Sequence, residues 1–210
     1  MANQPYEIGR GKFLDRGERT RLIKYCRERA KLDEVAGRTA WPRRYMLIDL
    51  ALFTGLRVAE IADLEIRDLM LKADQPYLVV RHGKGSMGGK RRDVYLDDAL
   101  VKHLKDYIKH HLVNPDTTAP LFPGREGNHS PAITLMKSFK AAIMSAGLPL
   151  HYSIHSCRHT YATYLLHDTQ NLRYVQKQLG HAQISMTALY SDVLPEQNGK
   201  LANMIKRDEP

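Results

Sequence analysis

HSCRHTYATYLLHDTQNLRYVQKQLGHAQISMTALY, residues His155 to Tyr190, is the stretch on which both fold and chemistry turn. Its apolar spacing predicts a helix over His155–Leu166, a second over Leu172–Leu179 and a short third over Ile184–Tyr190. Leu179-Gly180-His181 reads as a helix end, with Gly180 in the left-handed cap position and His181 just beyond it. His155 and Arg158 are three apart and so share a helix face. A guanidinium grips phosphate oxygens in a bidentate fork. A tyrosine hydroxyl can form a covalent phosphoryl intermediate, and histidines donate hydrogen bonds or move protons. His155, Arg158, His181 and Tyr190 are thus the parts needed to attack a phosphodiester. A rival metal reading rests on His155 and His159 at four-residue spacing. It lacks a partner, because Ser156 stands where an HExxH zinc motif has glutamate.

Upstream, Pro42 suits the first turn of a helix through Met46, Leu47, Leu50, Ala51 and Phe53. That helix is apolar on nearly all sides and belongs at the centre of the fold. Thr54-Gly55 breaks it. Arg57 then opens a short helix, Val58–Leu64, in which Arg57 and Glu60 face one another. Alone, this would read as a surface ion pair. Beside the C-terminal constellation it reads as a phosphate-binding arginine held by Glu60. Tyr77–Arg81 and Asp93–Leu96 read as two strands. The loop between them, residues 82–91, carries four glycines and the basic residues Lys84, Lys90 and Arg91. Its glycines let the backbone bend tightly and approach a ligand. A nucleotide phosphate loop is the competing idea, but no Gly-Lys-Ser/Thr follows.

In chain order, Thr54-Gly55-Leu56-Arg57-Val58-Ala59-Glu60, Gly83-Lys84-Gly85, His155-x-x-Arg158, Leu179-Gly180-His181 and Tyr190 resemble the motifs of the tyrosine recombinases, or phage integrases. The resemblance runs from about Phe13 to about Leu194. It implies a mainly α fold with a small antiparallel β-sheet (α+β), the catalytic domain of that family. The implied activity is site-specific DNA recombination, with strand cleavage and rejoining that needs no metal and no cofactor. By position it implies Arg57, Lys84, His155, Arg158, His181 and Tyr190 as catalytic residues and Glu60 as their support. Tyr190 would form a 3′-phosphotyrosine and release a 5′-hydroxyl. Arg57 and Arg158 would neutralise the non-bridging oxygens. His155 would take the tyrosine proton or orient the phosphate, and His181 would donate to a phosphate oxygen. Lys84 would protonate the leaving 5′-oxygen. Lys90 is the alternative, because extra glycines lengthen the loop between them. Arg81, His82, Lys90, Arg91 and Arg92, around the hairpin, are the expected DNA contacts. Double-stranded DNA is the implied partner, bound by a homo-oligomer, a tetramer on two sites. A type IB topoisomerase-like relaxing enzyme and a non-catalytic DNA-binding protein of the same fold are the alternatives. A metal-dependent nuclease is disfavoured for want of clustered carboxylates.

Elsewhere, Asp15 followed by Glu18 forms a capping-box pattern opening a helix through about Lys31. Asp97 or Asp98 caps a helix over Ala99–Leu112, whose His103, His110 and His111 read as solvated surface histidines. Residues 114–128 read as a long loop pinned by Leu121-Phe122. Ser130, with Pro131 next, starts a helix that ends near Gly147. Residues 1–12 are expected to be a flexible tail and 13–194 the catalytic domain. Residues 195–210 are expected to be a C-terminal tail, where Leu201, Met204 and Ile205 give a helix edge able to dock on a neighbouring subunit.

The 210 residues are 43% hydrophobic, enough for one packed core. A formal net charge of +9 favours a polyanionic partner. Two cysteines, Cys26 and Cys157, make neither a disulfide framework nor a metal knuckle, and Cys157 reads as a small buried filler. The N-terminal MANQPYEIGRGKF has no signal-peptide core, and the apolar run Tyr45–Phe53 is short and contains Asp49, so no membrane span is expected. The expected setting is a reducing prokaryotic cytoplasm, with a phage or mobile-element gene and association with the nucleoid during activity. The length leaves no room for the helical DNA-clamp domain that such proteins usually carry, so a fragment or a shorter recombinase type is expected.

Overall fold

The computed structural model describes residues 9–81, 91–112 and 116–191. His82, Lys84, Lys90 and the C-terminal docking segment lie outside the described residues.

Helix α1 (Arg16–Val35) starts at Asp15, whose carboxylate accepts from the Glu18 amide at 2.7 Å. Glu18 returns a bond to the Asp15 amide at 3.0 Å, closing the expected capping box. The helix runs a turn beyond Lys31. Helix α2 (Ala40–Thr54) is the centre of the fold, because its apolar residues leave no solvent face. It packs against α1, α4 (Asp98–His111), α5 (Ala132–Ser145) and α6 (Ile154–Thr169). Gly55 ends α2 with φ 62°. A Cβ there would lie 2.6 Å from the Tyr161 ring and 2.9 Å from Leu179, so turn and close approach both require glycine. Helix α3 (Val58–Ala62) follows immediately, with Arg57 as its N-cap.

A three-stranded antiparallel sheet is ordered β1 (Leu69–Met70), β2 (Tyr77–Val80) and β3 (Arg92–Tyr95), and its β3 packs against the later helix of residues Leu172–Leu179. Leu69 pairs with Leu78, and Leu78 in turn with Val94. The two-residue β1 is an addition to the expected pair, since two residues carry no readable period. Asp97 caps α4 through the Leu100 amide at 3.0 Å. Leu121 and Phe122 are fully buried and pin their loop as expected. Helices α7 (Leu172–Leu179) and α8 (Ser185–Ala188) complete the described chain, and Tyr190 falls just past α8 rather than inside a helix.

The buried side chains form two clusters. The larger joins α1 to α5, the sheet and the start of α6. The smaller gathers Phe13, Ala162, Tyr164, Leu166, Val175, Leu179 and Tyr190 under α6 and α7. Burying a side chain of Leu or Phe size contributes about 1.5–3 kcal/mol, so truncating any one large member would weaken the smaller cluster. Residues Arg10–Lys12, expected as flexible tail, form a 3-10 turn. The chain after that turn is tied down by the Leu14 amide donating to Thr160 Oγ1 at 2.9 Å and by the Phe13 ring meeting Tyr164 edge-on. His103 corrects another expectation. Its Nδ1 sits 2.6 Å from buried Asp49, because a buried carboxylate needs a partner, and its ring packs at a tilt against Tyr45. Cys157 is fully buried as expected, and burial pushes its thiol up. No helix among the described residues is long and apolar enough to cross a membrane.

Candidate active site

Arg158 leaves α6 pointing into the protein and is only 2% exposed. Among the described residues no carboxylate hydrogen-bonds to it. Its Nη1 donates to the Gly55 carbonyl at 2.7 Å and its Nη2 to the Leu179 carbonyl at 2.8 Å. Gly55 caps α2 and Leu179 ends α7, so two helix C-termini converge on one guanidinium. Their unpaired carbonyls and partial negative charge suit a cation. Burial, with Arg57 next, lowers the Arg158 pKa to about 10, which leaves it charged at neutral pH.

Arg57 meets Glu60 as the three-residue spacing requires. Nη1 donates to Oε1 at 2.9 Å, and the Arg57 amide donates to Oε2 at 2.9 Å. Arg92 supplies the rest of the clamp, from β3. Its Nη1 and Nη2 reach Glu60 Oε1 and Oε2 at 3.0 and 2.8 Å, and its Nε donates to the Gln178 carbonyl at 3.2 Å. Burial alone would raise the Glu60 carboxyl, but the Arg92 bonds and charge, then those of Arg57, hold it below the usual value. Arg92 was expected to touch DNA, and it instead turns inward to Glu60. Arg81 turns inward too, pairing with Glu65 at 2.9 Å and Asp68 at 3.1 Å. Bidentate pairing with a buried carboxylate satisfies a guanidinium better than a solvated surface site. Arg91, by contrast, is exposed.

The histidines divide between two partners. His155 faces the arginines: burial first, then Arg158 and Arg57, lower its pKa. His159, one turn on, packs edge-on against His155 at 4.7 Å, and its Nδ1 lies 3.0 Å from the Tyr190 hydroxyl. His181 follows the left-handed Gly180 cap, and its Nδ1 is 2.9 Å from Thr187 Oγ1. Its ring lies within 11° of parallel to Tyr190. Burial, followed by Arg158, Arg57, Arg92 and His159, pushes His181 down to about 4, so it is neutral at neutral pH. Gly180 is confined twice over. Its φ is 66°, and a Cβ there would meet Arg92 Cδ at 2.7 Å. Tyr190 is 5% exposed, packed in the smaller core with its hydroxyl toward α6.

The structure therefore brings Arg57, Glu60, His155, Arg158, His181 and Tyr190 into one cluster. It adds Arg92 and His159, which the sequence alone did not place there. His159 had a sequence signal: it is adjacent to Arg158 and four residues from His155, on the same side of α6. Chemically the cluster offers three guanidiniums, two of which, Arg57 and Arg92, share the carboxylate of Glu60, beside a tyrosine hydroxyl and neutral imidazoles. That is a net positive pocket suited to a phosphate flanked by a nucleophile. Among the described residues no group of three or more His, Cys, Asp or Glu is arranged to hold a metal ion.

Comparison with known proteins gives one family. The sequence profile described as the phage integrase family matches residues 12–197. The chain is 33% identical over 160 residues to the tyrosine recombinase XerD of Staphylococcus saprophyticus, covering 75% of this chain and 52% of that protein. It is 30% identical over 161 residues to the tyrosine recombinase XerC of Lactobacillus delbrueckii, covering 75% of this chain and 52% of that protein. The chain thus spans about half the length of these curated relatives. In fold it is similar to the crystal structure of XerA recombinase, with TM-score 0.71 and 24% identity over 97% of this chain and 68% of that one. It is also similar to XerH site-specific recombinase bound to its difH substrate, with TM-score 0.70 and 24% identity over 93% of this chain and 53% of that one.

Proposed function

The chain belongs to the phage integrase family, and from that premise we propose that it is a site-specific DNA recombinase that cuts and rejoins strands through a 3′-phosphotyrosine at Tyr190. The observation that carries the proposal is the pairing of Arg158 with the carbonyls of Gly55 and Leu179 and, among the described residues, with no carboxylate. Its full charge stays available to a phosphate while its geometry is fixed in advance.

In this reading residues 13–194 act as the catalytic domain. Arg57 and Arg158 bind the non-bridging oxygens of the scissile phosphate. Glu60 fixes Arg57, and Arg92 fixes Glu60. His155 orients the phosphate, and His181 donates to one of its oxygens. The Tyr190 oxygen forms a bond to phosphorus, and the bond to the 5′-oxygen breaks. Lys84, or Lys90, gives that oxygen its proton. Resealing is the reverse, with a 5′-hydroxyl from a partner strand. The DNA is double-stranded and is bound by a homotetramer on two sites, in the bacterial cytoplasm at the nucleoid. Arg91, His82 and Lys90 contact its backbone.

The test uses half-sites selected by the protein itself from a random duplex pool, nicked so that cleavage traps the adduct, with EDTA present. The parent chain is expected to give a protein–DNA adduct stable in a denaturing gel, and Tyr190→Phe none. An adduct that survives Tyr190→Phe, or its absence from the parent, overturns the assignment. Relaxation of supercoiled plasmid without strand exchange would identify a topoisomerase instead.

A further inference from the structure

His155 and His159 sit one turn apart on α6, yet they do different things. His155 is at the solvent-facing side, and its electrostatic neighbours are Arg158 and Arg57. His159 is 7% exposed and its Nδ1 lies 3.0 Å from the Tyr190 hydroxyl, with the two ring centroids 5.9 Å apart. A contact of this length is a hydrogen bond. A neutral imidazole has one nitrogen that accepts and one that donates. Burial, then the charges of His155, Arg158 and Lys12, push His159 down to about 4, so it is neutral at neutral pH. A phenol beside it is a far better donor than acceptor, so the bond is satisfied with Tyr190 donating to an unprotonated Nδ1.

Resting on the proposed function, we propose that His159, and not His155, receives the proton of Tyr190 when the tyrosine attacks phosphorus. The Tyr190 O–H bond breaks as the O–P bond forms. The proton passes to Nδ1 of His159, whose Nε2 keeps its own, giving an imidazolium. On resealing, the incoming 5′-hydroxyl yields its proton to the lysine that supplied one in cleavage and displaces the tyrosine, and His159 returns its proton to the departing phenolate. Transfer to so weak a base is uphill from a resting phenol. It becomes favourable only as bond formation acidifies the oxygen, which ties proton movement to the chemical step. His155, facing the arginines, is left to the phosphate.

A residue that merely holds Tyr190 in place would predict much of the same loss on mutation, so the test separates the two. Tyr190 is replaced by 3,5-difluorotyrosine, whose more acidic phenol needs less help from a base. Single-turnover adduct formation is measured on the nicked half-site for Tyr190 and for the fluorinated residue, each with His159, His159→Gln and His159→Phe. With the natural tyrosine, both variants are expected to be slower by about 10²–10⁴-fold. Glutamine keeps a hydrogen bond but has no basic nitrogen, so it should rescue nothing. With difluorotyrosine the loss should shrink at least tenfold. His155→Gln should show a loss of the same size with either phenol. Thermal melts and DNA binding confirm that each variant is folded. If His159→Gln matches the parent, or if the loss is unchanged by fluorination, His159 positions the nucleophile and the proposal is overturned while the recombinase reading stands. If the parent forms no adduct through Tyr190, both fall together.

Discussion

Both nitrogens of the Arg92 fork close on the two oxygens of Glu60, at 3.0 and 2.8 Å, although 32 residues separate them in the chain. Arg57 uses the same carboxylate. One buried anion therefore sets the position of the arginine that caps α3 against strand β3. Removing one side of a buried pair strands the other charge, at a cost of about 3–5 kcal/mol. Glu60→Ala is expected to lower the unfolding free energy, read from urea denaturation, by an amount in that range. Arg92→Lys keeps a charge but not the fork, and is expected to cost about 1–3 kcal/mol. Adduct formation should slow about tenfold or more while DNA binding changes little. A variant with parent-like cleavage would remove Arg92 from the site's support.

Gly180 and Gly37 make a controlled comparison. Both have positive φ, 66° and 67°, but a Cβ on Gly37 meets nothing within 4 Å while one on Gly180 meets Arg92 Cδ at 2.7 Å. Gly37→Ala should cost only the backbone term, about 1 kcal/mol. Gly180→Ala should cost more and should also impair cleavage, because Arg92 and His181 shift together. Equal losses in urea denaturation would show that the contact is soft.

The histidines give a pH signature. His159 and His181 are pushed down to about 4 by burial and by the surrounding cations, and His155 is lowered as well. The unfolded chain takes up these protons at about pH 6.5. Between about 6.5 and 4 the unfolded state thus binds more protons than the folded one, so stability is full above this window and is lost as pH falls through it. Glu60, held below 4.5, adds its own loss only at lower pH. Urea midpoints should be flat above pH 7 and decline below 6.5, and His181→Gln should flatten the decline. A midpoint that rises on acidification would contradict this.

Lys84 is tested through the leaving group. A 5′-alkoxide leaves poorly without a proton. Replacing the bridging 5′-oxygen with sulfur removes that need. Lys84→Ala should cleave ordinary DNA about 10²-fold or more slowly and recover on the sulfur-substituted strand. Arg57→Ala and Arg158→Ala should not recover. Slow-then-rescued behaviour from Lys90→Ala instead would move the role to Lys90.

Local signals in the chain were legible. The Asp15–Glu18 box, the Asp97 cap, the Gly55 and Gly180 breaks and the apolar α2 each follow from residues within one or two turns of one another. Arg81 and Arg92 were not, because basic residues beside a hairpin look alike whether they face solvent or a carboxylate brought in from Glu65 or Glu60 by the fold. The same holds for His103 and its partner Asp49, 54 positions away. The strand β1 escaped for a different reason, having only two residues and no periodicity. For the site, order and spacing located Arg57, His155, Arg158, His181 and Tyr190, while the partner of each was decided by packing. His159 is the clearest instance: chain spacing drew attention to it only as a possible zinc ligand alongside His155, yet its neighbour across the site is Tyr190.

Tyr190 is one of the seven buried side chains of the smaller cluster and does not belong to the main core around α2. Regions with few buried apolar contacts open at a free energy below that of global unfolding. Amide exchange should therefore be slowest in α2 and faster in α7 and α8, by a route that leaves the rest of the protein folded. Tyr190, the proposed nucleophile, is anchored where it can be lifted out and returned many times without the protein having to melt.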